Sequence, residues 1–257
     1  MKRLGLNVAT VLSFPALALV TWQVMTFWKP NAFFTPPSRI WTSAADQVSL
    51  GWIAEVVLPT LLLTVGGYLL GVTFGLVAGA LIGSHPIAVR VLGPVAVFIR
   101  STPVAATIPV ILAIFGLGTL SLYVAVSVTV GFQVLLITML GVSRTETSYQ
   151  DAAVILRLSF FEKLVLVRIP GAMSDVLVAL QASVQTALLV ALTVEILAGG
   201  GGIGRYVSEA LGLFRMPSLW VAVFVVGFLG ILLHELYFAL EKRLAPWYFH
   251  QRGLNNG

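Results

Sequence analysis

The sequence predicts an all-α, polytopic membrane protein with about six transmembrane helices. Of its 257 residues, 58% are hydrophobic and only 10% are charged, whereas a soluble domain carries about 25% charged residues. The mean hydropathy is +0.99. A core of this size cannot bury so much apolar surface, so lipid must cover the rest. At about 20 apolar residues per crossing, the length accommodates about six helices with short loops.

The composition also limits the function classes. The net charge of +5 comes without a basic patch interleaved with aromatic residues, so we expect no nucleic-acid partner. The absence of cysteine excludes disulfides and thiolate metal sites. No Gly-Lys pair, and hence no P-loop, is present, and no G-x-S-x-G or Ser-His-Asp pattern stands out. We therefore expect no enzyme active site, metal or cofactor in this chain, so another subunit or an ion gradient must drive any active transport.

The first expected span covers residues 1–28. It begins with Lys2 and Arg3 and then runs apolar, as a signal peptide does, but the run is long and no clear cleavage site follows. We therefore expect an uncleaved helix, bent near Pro15. A short amphipathic helix is expected after it, over residues 44–57.

The second expected span, residues 58–83, carries a glycine at every fourth position from Gly67 to its end. These glycines are Gly67, Gly71, Gly75, Gly79 and Gly83. A ridge of small residues lets two helix backbones approach closely in lipid. The run is more regular than the general glycine enrichment of membrane helices, so it predicts close helix packing.

The third expected span, residues 94–115, departs from the apolar norm. Its polar residues and prolines are Arg100, Ser101, Thr102, Pro103, Thr107 and Pro109. An arginine inside a span usually faces a cavity, a partner or a headgroup, and proline frees carbonyls that water in a pathway can satisfy. We predict that the four polar residues line a translocation pathway. For Arg100, reaching out to the membrane interface is an equally weighted alternative.

The fifth expected span, residues 176–198, follows an apolar fourth span at residues 120–141. The residues predicted to line the pathway here are Gln181, Gln185, Thr186, Thr193 and Glu195. Gln181, Gln185 and Thr193 share one broad helical face, and such a face either bonds to another helix or borders water. A glycine-rich loop over residues 199–204 follows, and the sixth span is expected at residues 217–240.

The basic residues predict the topology, because they concentrate in cytoplasmic loops. With six spans, both termini share a side. That side holds Lys2, Arg3, Arg90, Arg144, Arg157, Lys163, Arg168, Lys242, Arg243 and Arg252. The other side holds Lys29, Arg39, Arg205 and Arg215. We therefore expect both termini in the cytoplasm.

A polar insert between the fourth and fifth spans covers residues 149–170. It is either a solvated connection or a contact for a soluble partner, and periodicity alone leaves both open. Its Asp151-Ala152-Ala153 and Ile169-Pro170 resemble the EAA loop of permease subunits in binding-protein-dependent ABC importers. Residues 59–83, the Arg100-Ser101-Thr102-Pro103 segment and Glu195-Ile196-Leu197 with its glycine loop are similar to the nitrate, sulfonate, taurine and bicarbonate branch. The resemblance covers most of the chain after Leu58.

The resemblance implies a type I ABC importer permease fold in the bacterial inner membrane. It implies three parts: an N-terminal span and periplasmic segment (1–57), a core (58–241) with a cytoplasmic coupling loop (142–169), and a cytoplasmic tail (242–257). The implied ATPase-coupling residues are Asp151, Ala152, Ala153, Leu156, Arg157, Leu158, Ser159, Phe160, Glu162 and Lys163. The implied partners are a second permease copy or paralogue, two ATPase subunits that bind ATP and Mg, a periplasmic or lipid-anchored solute-binding protein, and membrane lipid.

Two positions depart from the family pattern. Asp151 replaces the usual Glu, and Arg157 stands where the family usually has Gly. If that glycine permits a left-handed turn, arginine makes the turn costlier by roughly 1 kcal/mol or more.

These observations favour a permease subunit whose cargo is a small anion. A neutral heterocycle, such as a vitamin or pyrimidine precursor, is the alternative cargo. A carrier driven by an ion gradient is a different class, but it needs intramembrane carboxylates and often an inverted repeat. Only Glu195 and Glu235 are near candidates for such carboxylates. A membrane scaffold without transport would leave the polar faces of two spans unexplained.

Overall fold

The computed structural model describes residues 8–29, 31, 33–145 and 147–245, without the side chains of residues 8–12, 100, 104, 105, 147, 148, 150 and 244. The helices are α1 (Val8–Trp28), α2 (Pro37–Gln47), α3 (Leu50–Trp52), α4 (Leu58–Gly83), α5 (Pro86–Ser101), α6 (Val104–Phe115), α7 (Thr119–Ser143), α8 (Thr147–Ile155), α9 (Phe160–Lys163), α10 (Ile169–Ala198), α11 (Ile203–Gly212) and α12 (Met216–Leu244). Two π-helical segments, Ile53–Val57 and Leu164–Arg168, join α3 to α4 and α9 to α10. No strand occurs among the described residues.

Four apolar helical stretches in the described part are long enough to cross a membrane. They are Leu50–Gly83, Thr119–Ser143, Phe160–Ala198 and Met216–Arg243. The stretches Pro86–Ile99 and Ala106–Phe115 are apolar but shorter. With the 21-residue α1 at the place of the first expected span, they account for the predicted all-α membrane fold.

The third expected span is two helices, so the prediction of one continuous helix over residues 94–115 was wrong. α5 ends at Ser101, and Thr102 and Pro103 are extended, with ψ of 127° and 126°. A proline disfavours the helical conformation of the residue before it, which explains the break at Thr102. The prediction of one amphipathic helix over residues 44–57 was also wrong. α2 begins at Pro37 and ends at Gln47, and a separate helical stretch begins at Leu50.

The glycine ridge of α4 packs directly on the backbone of α7, which confirms the predicted close approach. Gly71, Gly75, Gly79 and Gly83 face the carbonyl oxygens of Ser127, Gly131, Leu135 and Met139 in that order. A Cβ at any of these four glycines would lie 2.6–2.7 Å from the facing oxygen. Since the residue numbers rise together on both helices, α4 and α7 run parallel, and α5 with α6 must return the chain between them.

The other long helices alternate in direction. The Tyr68 hydroxyl of α4 donates to the Leu180 carbonyl of α10 (3.2 Å), and Thr60 bonds to Glu195 further along, so α10 is antiparallel to α4. α12 is antiparallel to α10, because the Tyr237 hydroxyl donates to the Leu177 carbonyl (3.1 Å) and the earlier Gly230 faces Leu188.

One end of the bundle therefore holds residues 144–168 together with the α4–α5 turn and the end of α12; we call it the loop end. It carries Arg90, Arg144, Arg157, Lys163, Arg168, Lys242 and Arg243. The opposite end carries Lys29, Arg39, Arg205 and Arg215. The described basic residues are thus grouped as the sequence predicted, while Lys2, Arg3 and Arg252 lie outside the described residues.

α7 is the central helix of the bundle. Its Val126, Val130 and Val134 are fully buried, and they pack with residues of α4 and α10 in the largest apolar cluster. α1 lies at the periphery, where Trp22 contacts Trp220 at the start of α12, with ring centroids 5.1 Å apart. α7 therefore positions the long helices that pack around it.

Candidate functional site

The predicted coupling loop folds into a helical hairpin made of α8, a short turn and α9, which we call the α8–α9 hairpin (residues 147–163). Asp151, Ala152 and Ala153 lie on α8. Ala153 is buried and Leu158 and Lys163 are half-buried, whereas the other predicted coupling residues, Asp151, Ala152, Leu156, Arg157, Ser159, Phe160 and Glu162, are exposed. The hairpin stands at the loop end, between α7 and α10.

α8 ends in a Schellman turn, in which Arg157 adopts the left-handed conformation with φ of 52°. The Leu158 N–H donates to the Ala153 carbonyl (3.1 Å), and the Arg157 N–H donates to the Val154 carbonyl (3.0 Å). These two bonds satisfy carbonyls that the end of a helix leaves free. The position that suits glycine in the family pattern is therefore left-handed here, although an arginine occupies it.

The next helix, α9, begins with a capping box. The Ser159 N–H donates to a Glu162 carboxylate oxygen (2.7 Å), and the Glu162 N–H donates to the Ser159 hydroxyl (3.4 Å). The S-x-x-E spacing predicts the start of a helix, and the sequence analysis missed it. Ser159 and Glu162 thus set the conformation of the turn.

The base of the hairpin contacts the α4–α5 turn. The Phe160 ring lies on the His85 ring, with centroids 5.1 Å apart, and the Arg168 guanidinium donates to the Ser84 carbonyl. The tip is apolar and open to solvent: Ile155 is 80% exposed, and Leu156 and Phe161 are each 70% exposed. The hairpin therefore presents apolar side chains to solvent at the loop end.

A cavity of about 240 Å³, which we call the α5–α6 cavity, lies where the break between α5 and α6 faces α7 and α10, and both polar and apolar side chains line it. It is lined by Ile99, Thr102, Thr107, Val128, Thr129, Phe132, Gln133 and Thr186. Three predicted pathway residues, Thr102, Thr107 and Thr186, are thus brought together. The sequence analysis missed Thr129 and Gln133, because they are isolated polar residues in a largely apolar span.

The cavity offers hydrogen-bonding groups. The hydroxyls of Thr102, Thr129 and Thr186 each donate to the carbonyl four residues earlier in the chain, at 2.9–3.2 Å. Within the described residues, the Gln133 carboxamide has no hydrogen-bond partner, so its two N–H donors are available to a solute.

The remaining predicted pathway residues are not among the residues that line this cavity. Ser101 and Thr193 donate to carbonyls of their own helices, at 2.8 and 2.7 Å. Gln185 is exposed and Gln181 is half-buried on α10. The side chain of Arg100 lies outside the described part, although its backbone belongs to α5.

Glu195 is placed as a cross-link at the opposite end of the bundle. It is 1% exposed, and its carboxylate accepts hydrogen bonds from the Thr60 hydroxyl (2.8 Å) and the Gly204 N–H (2.9 Å). The Thr60 hydroxyl oxygen in turn accepts from the Ile203 N–H (2.8 Å). A Cβ at Gly202 would lie 2.4 Å from the carboxylate, so the glycine loop is what allows the start of α11 to close over Glu195.

The described residues include no group of three His, Asp or Glu side chains that could hold a metal ion.

Comparison with known proteins gives a consistent picture. Residues 71–246 match the family described as "Binding-protein-dependent transport system inner membrane component". The chain is 26% identical over 180 residues to the nitrate import permease protein NrtB of Leptolyngbya laminosa, which covers 70% of this chain and 64% of NrtB. It is 27% identical over 226 residues to the bicarbonate transport system permease protein CmpB of Synechocystis sp., which covers 82% of this chain and 80% of CmpB.

Among solved structures, the fold matches the MetNI methionine ABC transporter in an inward-facing conformation. The TM-score is 0.65 at 17% identity, and the match covers 76% of this chain and 99% of that chain. At this identity the likeness shows the fold alone.

Proposed function

The chain belongs to the binding-protein-dependent transport system inner membrane components and is a permease subunit of an ABC importer, and from that premise we propose that it forms half of an ATP-driven pathway for a small anion. A second permease, identical or paralogous, supplies the other half. Two ATPase subunits bind ATP and Mg below the loop end, and a solute-binding protein delivers the anion to the opposite end. The loop end is then cytoplasmic, because it holds more of the basic residues.

The observation that carries this proposal is the exposed apolar tip of the α8–α9 hairpin. A contiguous exposed apolar patch marks a site of contact with another protein or with the membrane, and we propose a protein contact for this tip. The Schellman turn and the capping box hold the tip in one conformation, and Phe160 and Arg168 attach its base to α4. These features suit an element that transmits the movement of an ATPase to the spans.

The proposed docking is tested by Leu156→Asp, which places a charge on the exposed tip. We expect at least a tenfold loss of the co-expressed ATPase subunit on purification, because burying an unpaired carboxylate in the contact is costly. Ala153 is unsuited to this test, since it is only 2% exposed and a charge there would disrupt the hairpin itself.

The matched control is Leu213→Asp, because Leu213 is 61% exposed and lies at the opposite end, just after α11. The ATPase should be retained with this variant. If Leu156→Asp also retains the ATPase, the hairpin is not the docking element.

The Gln133 carboxamide in the α5–α6 cavity supports an anionic cargo. Nitrate and bicarbonate accept hydrogen bonds at every oxygen, and this carboxamide supplies N–H donors, whereas the hydroxyl protons of Thr102, Thr129 and Thr186 are already donated to backbone carbonyls. Hydrogen bonds to a charged acceptor are about twice as strong as neutral ones. We propose Arg100 of α5 as the cationic partner of the anion, because an arginine inside a span usually faces a cavity, a partner or a headgroup. The names of the nitrate and bicarbonate relatives point to the same class of cargo.

The cargo is tested by uptake of labelled nitrate into vesicles that contain the permease, the ATPase and the solute-binding protein. Gln133→Leu should lower uptake about tenfold, since a hydrogen bond to a charged group contributes about 1.5–3 kcal/mol. Thr73→Val is the control, because Thr73 lies on α4, outside the cavity lining and outside the predicted pathway residues, and it should leave uptake unchanged. Equal loss of nitrate uptake in both variants would show that the cavity is not part of the pathway.

The same vesicles separate the alternatives. Uptake of a neutral pyrimidine precursor without nitrate uptake would overturn the anion cargo and favour a heterocycle. Uptake that persists without any ATPase would indicate a carrier driven by an ion gradient.

A further inference from the structure

A second cavity, of about 340 Å³, lies at the loop end, away from the α5–α6 cavity. It is bordered by the end of α4, the start of α5, the end of α7 and the π-helical segment that precedes α10. Arg90 and Arg168 both line it, and so does Ser143. Two positive charges therefore face one small space.

Neither arginine is neutralised within the described part of the chain. The ion pair found there, Arg205 with Glu209 at 2.7 Å, lies at the opposite end. Arg168 is half-buried, and the Ser84 carbonyl holds its guanidinium in place. Arg90 is exposed. Because like charges that share a cavity repel each other, an anion that bridges the two guanidinium groups would be stabilised there.

An apolar stripe begins next to Arg90 and follows the exposed face of α5 away from the loop end. Ile87, Val91 and Phe98 are 78%, 63% and 73% exposed. Their spacing of four and seven residues places them on one face of the helix. A molecule with a phosphate in the cavity could therefore lay a hydrocarbon chain along this stripe.

We propose that this cavity binds the phosphate of an anionic phospholipid from the leaflet at the loop end, with an acyl chain along Ile87, Val91 and Phe98. Arginine suits this ligand because its planar guanidinium matches the geometry of phosphate oxygens. Basic pockets between transmembrane helices on the cytoplasmic side recognise such headgroups. The site is distinct from the transport pathway and does not depend on the identity of the cargo.

The test measures binding of phosphatidylglycerol and phosphatidylcholine to the full chain in detergent by native mass spectrometry. We expect the wild-type chain to bind phosphatidylglycerol more tightly. Arg90→Gln should weaken that binding about fivefold, from the attraction of about 1 kcal/mol per basic residue near a membrane surface, and leave phosphatidylcholine binding unchanged. Arg168→Gln should act in the same direction, with its folding checked by circular dichroism because Arg168 also bonds to Ser84.

Arg144→Gln is the matched control, because it removes the same charge from the same end of the bundle at a residue that does not line the cavity. It should leave phosphatidylglycerol binding unchanged. Equal weakening by Arg144→Gln and Arg90→Gln, or equal binding of the two lipids, would overturn the site. Displacement of phosphatidylglycerol by millimolar inorganic phosphate would identify a free-anion site instead. Loss of the ATPase with unchanged lipid binding in Arg90→Gln would assign the cavity to the ATPase.

Discussion

Arg157 adopts a backbone conformation that favours glycine, at the point where α8 turns into α9. Its φ of 52° places the Cβ close to the following carbonyl, which costs about 1–2 kcal/mol for a residue with a side chain. The hydrogen bonds of the Schellman turn and the capping box hold the residue there. The hairpin thus keeps the shape for which the family pattern uses glycine.

Replacing Arg157 by glycine should therefore stabilise the protein. The relief of about 1–2 kcal/mol is partly offset by the roughly 0.5–1 kcal/mol that glycine loses in chain entropy on folding, so we expect a net gain of about 0.5–1 kcal/mol. Thermal unfolding of the detergent-purified chain measures it. Arg157→Ala removes the charge but keeps the Cβ, so an equal shift in the alanine variant would assign the effect to charge and contradict the account.

Thr60 illustrates a residue whose importance depends on distant partners. Its hydroxyl donates to Glu195 and accepts from the Ile203 N–H. Thr60→Val removes both bonds and leaves buried polar groups unpaired, which we expect to cost about 2–4 kcal/mol of unfolding free energy. Reduced thermal stability and a lower yield of folded chain would report this loss.

Thr64 provides the comparison for Thr60. It is also buried on α4, but its hydroxyl donates only to the Thr60 carbonyl within the same helix. Thr64→Val should therefore cost only about 0.5–1.5 kcal/mol, which is the net contribution of one hydrogen bond. If the two valine variants are equally stable, the Glu195 cross-link does not hold the opposite end of the bundle.

At the scale of elements, local signals determined what the sequence could predict. The end of α4 at Gly83 agrees with the expected span at residues 58–83, because the four-residue glycine period and Ser84 are local features, whereas the helical stretch itself begins earlier, at Leu50. The Thr102-Pro103 dipeptide also predicts the break between α5 and α6, because proline disfavours the helical conformation of the residue before it. We nevertheless assigned its polar residues to one continuous span. The capping box at Ser159 is another local feature that predicts a helix start, and the sequence analysis missed it.

The contact between α4 and α7 should tolerate no side chain at Gly75. A Cβ there would lie 2.6 Å from the Gly131 carbonyl oxygen, which belongs to a backbone that cannot move alone. We expect Gly75→Ala to cost about 3 kcal/mol, at the upper end of overpacking in a core, and to lower the melting temperature of the purified chain.

Gly227→Ala is the control for this contact. Gly227 also lies inside a long helix, α12, but nothing lies within 4 Å of its Cβ position. Alanine there should raise the stability slightly, by up to about 1 kcal/mol, through helix propensity. A stable Gly75→Ala variant would mean that α4 and α7 are further apart than described.

At the scale of the whole molecule, the direction of the helices decides which residues share an end. The charge count predicted the two groups of basic residues, and the parallel α4 and α7 confirm this grouping for the described residues. The sequence could not show that Thr129 and Gln133 meet Thr186, because residues more than fifty positions apart are brought together only by packing around α7. For the same reason, the sequence could not show that the Glu195 carboxylate bonds to Thr60 of α4.

We propose above that the α8–α9 hairpin docks on an ATPase subunit. The chain has no cysteine, so Phe161→Cys introduces a single thiol at a side chain that is 70% exposed at the tip. A photo-crosslinker attached to this thiol should form an adduct with the co-expressed ATPase subunit, whereas the same reagent attached through Leu213→Cys should not. An adduct from neither position, or from both equally, would contradict the account.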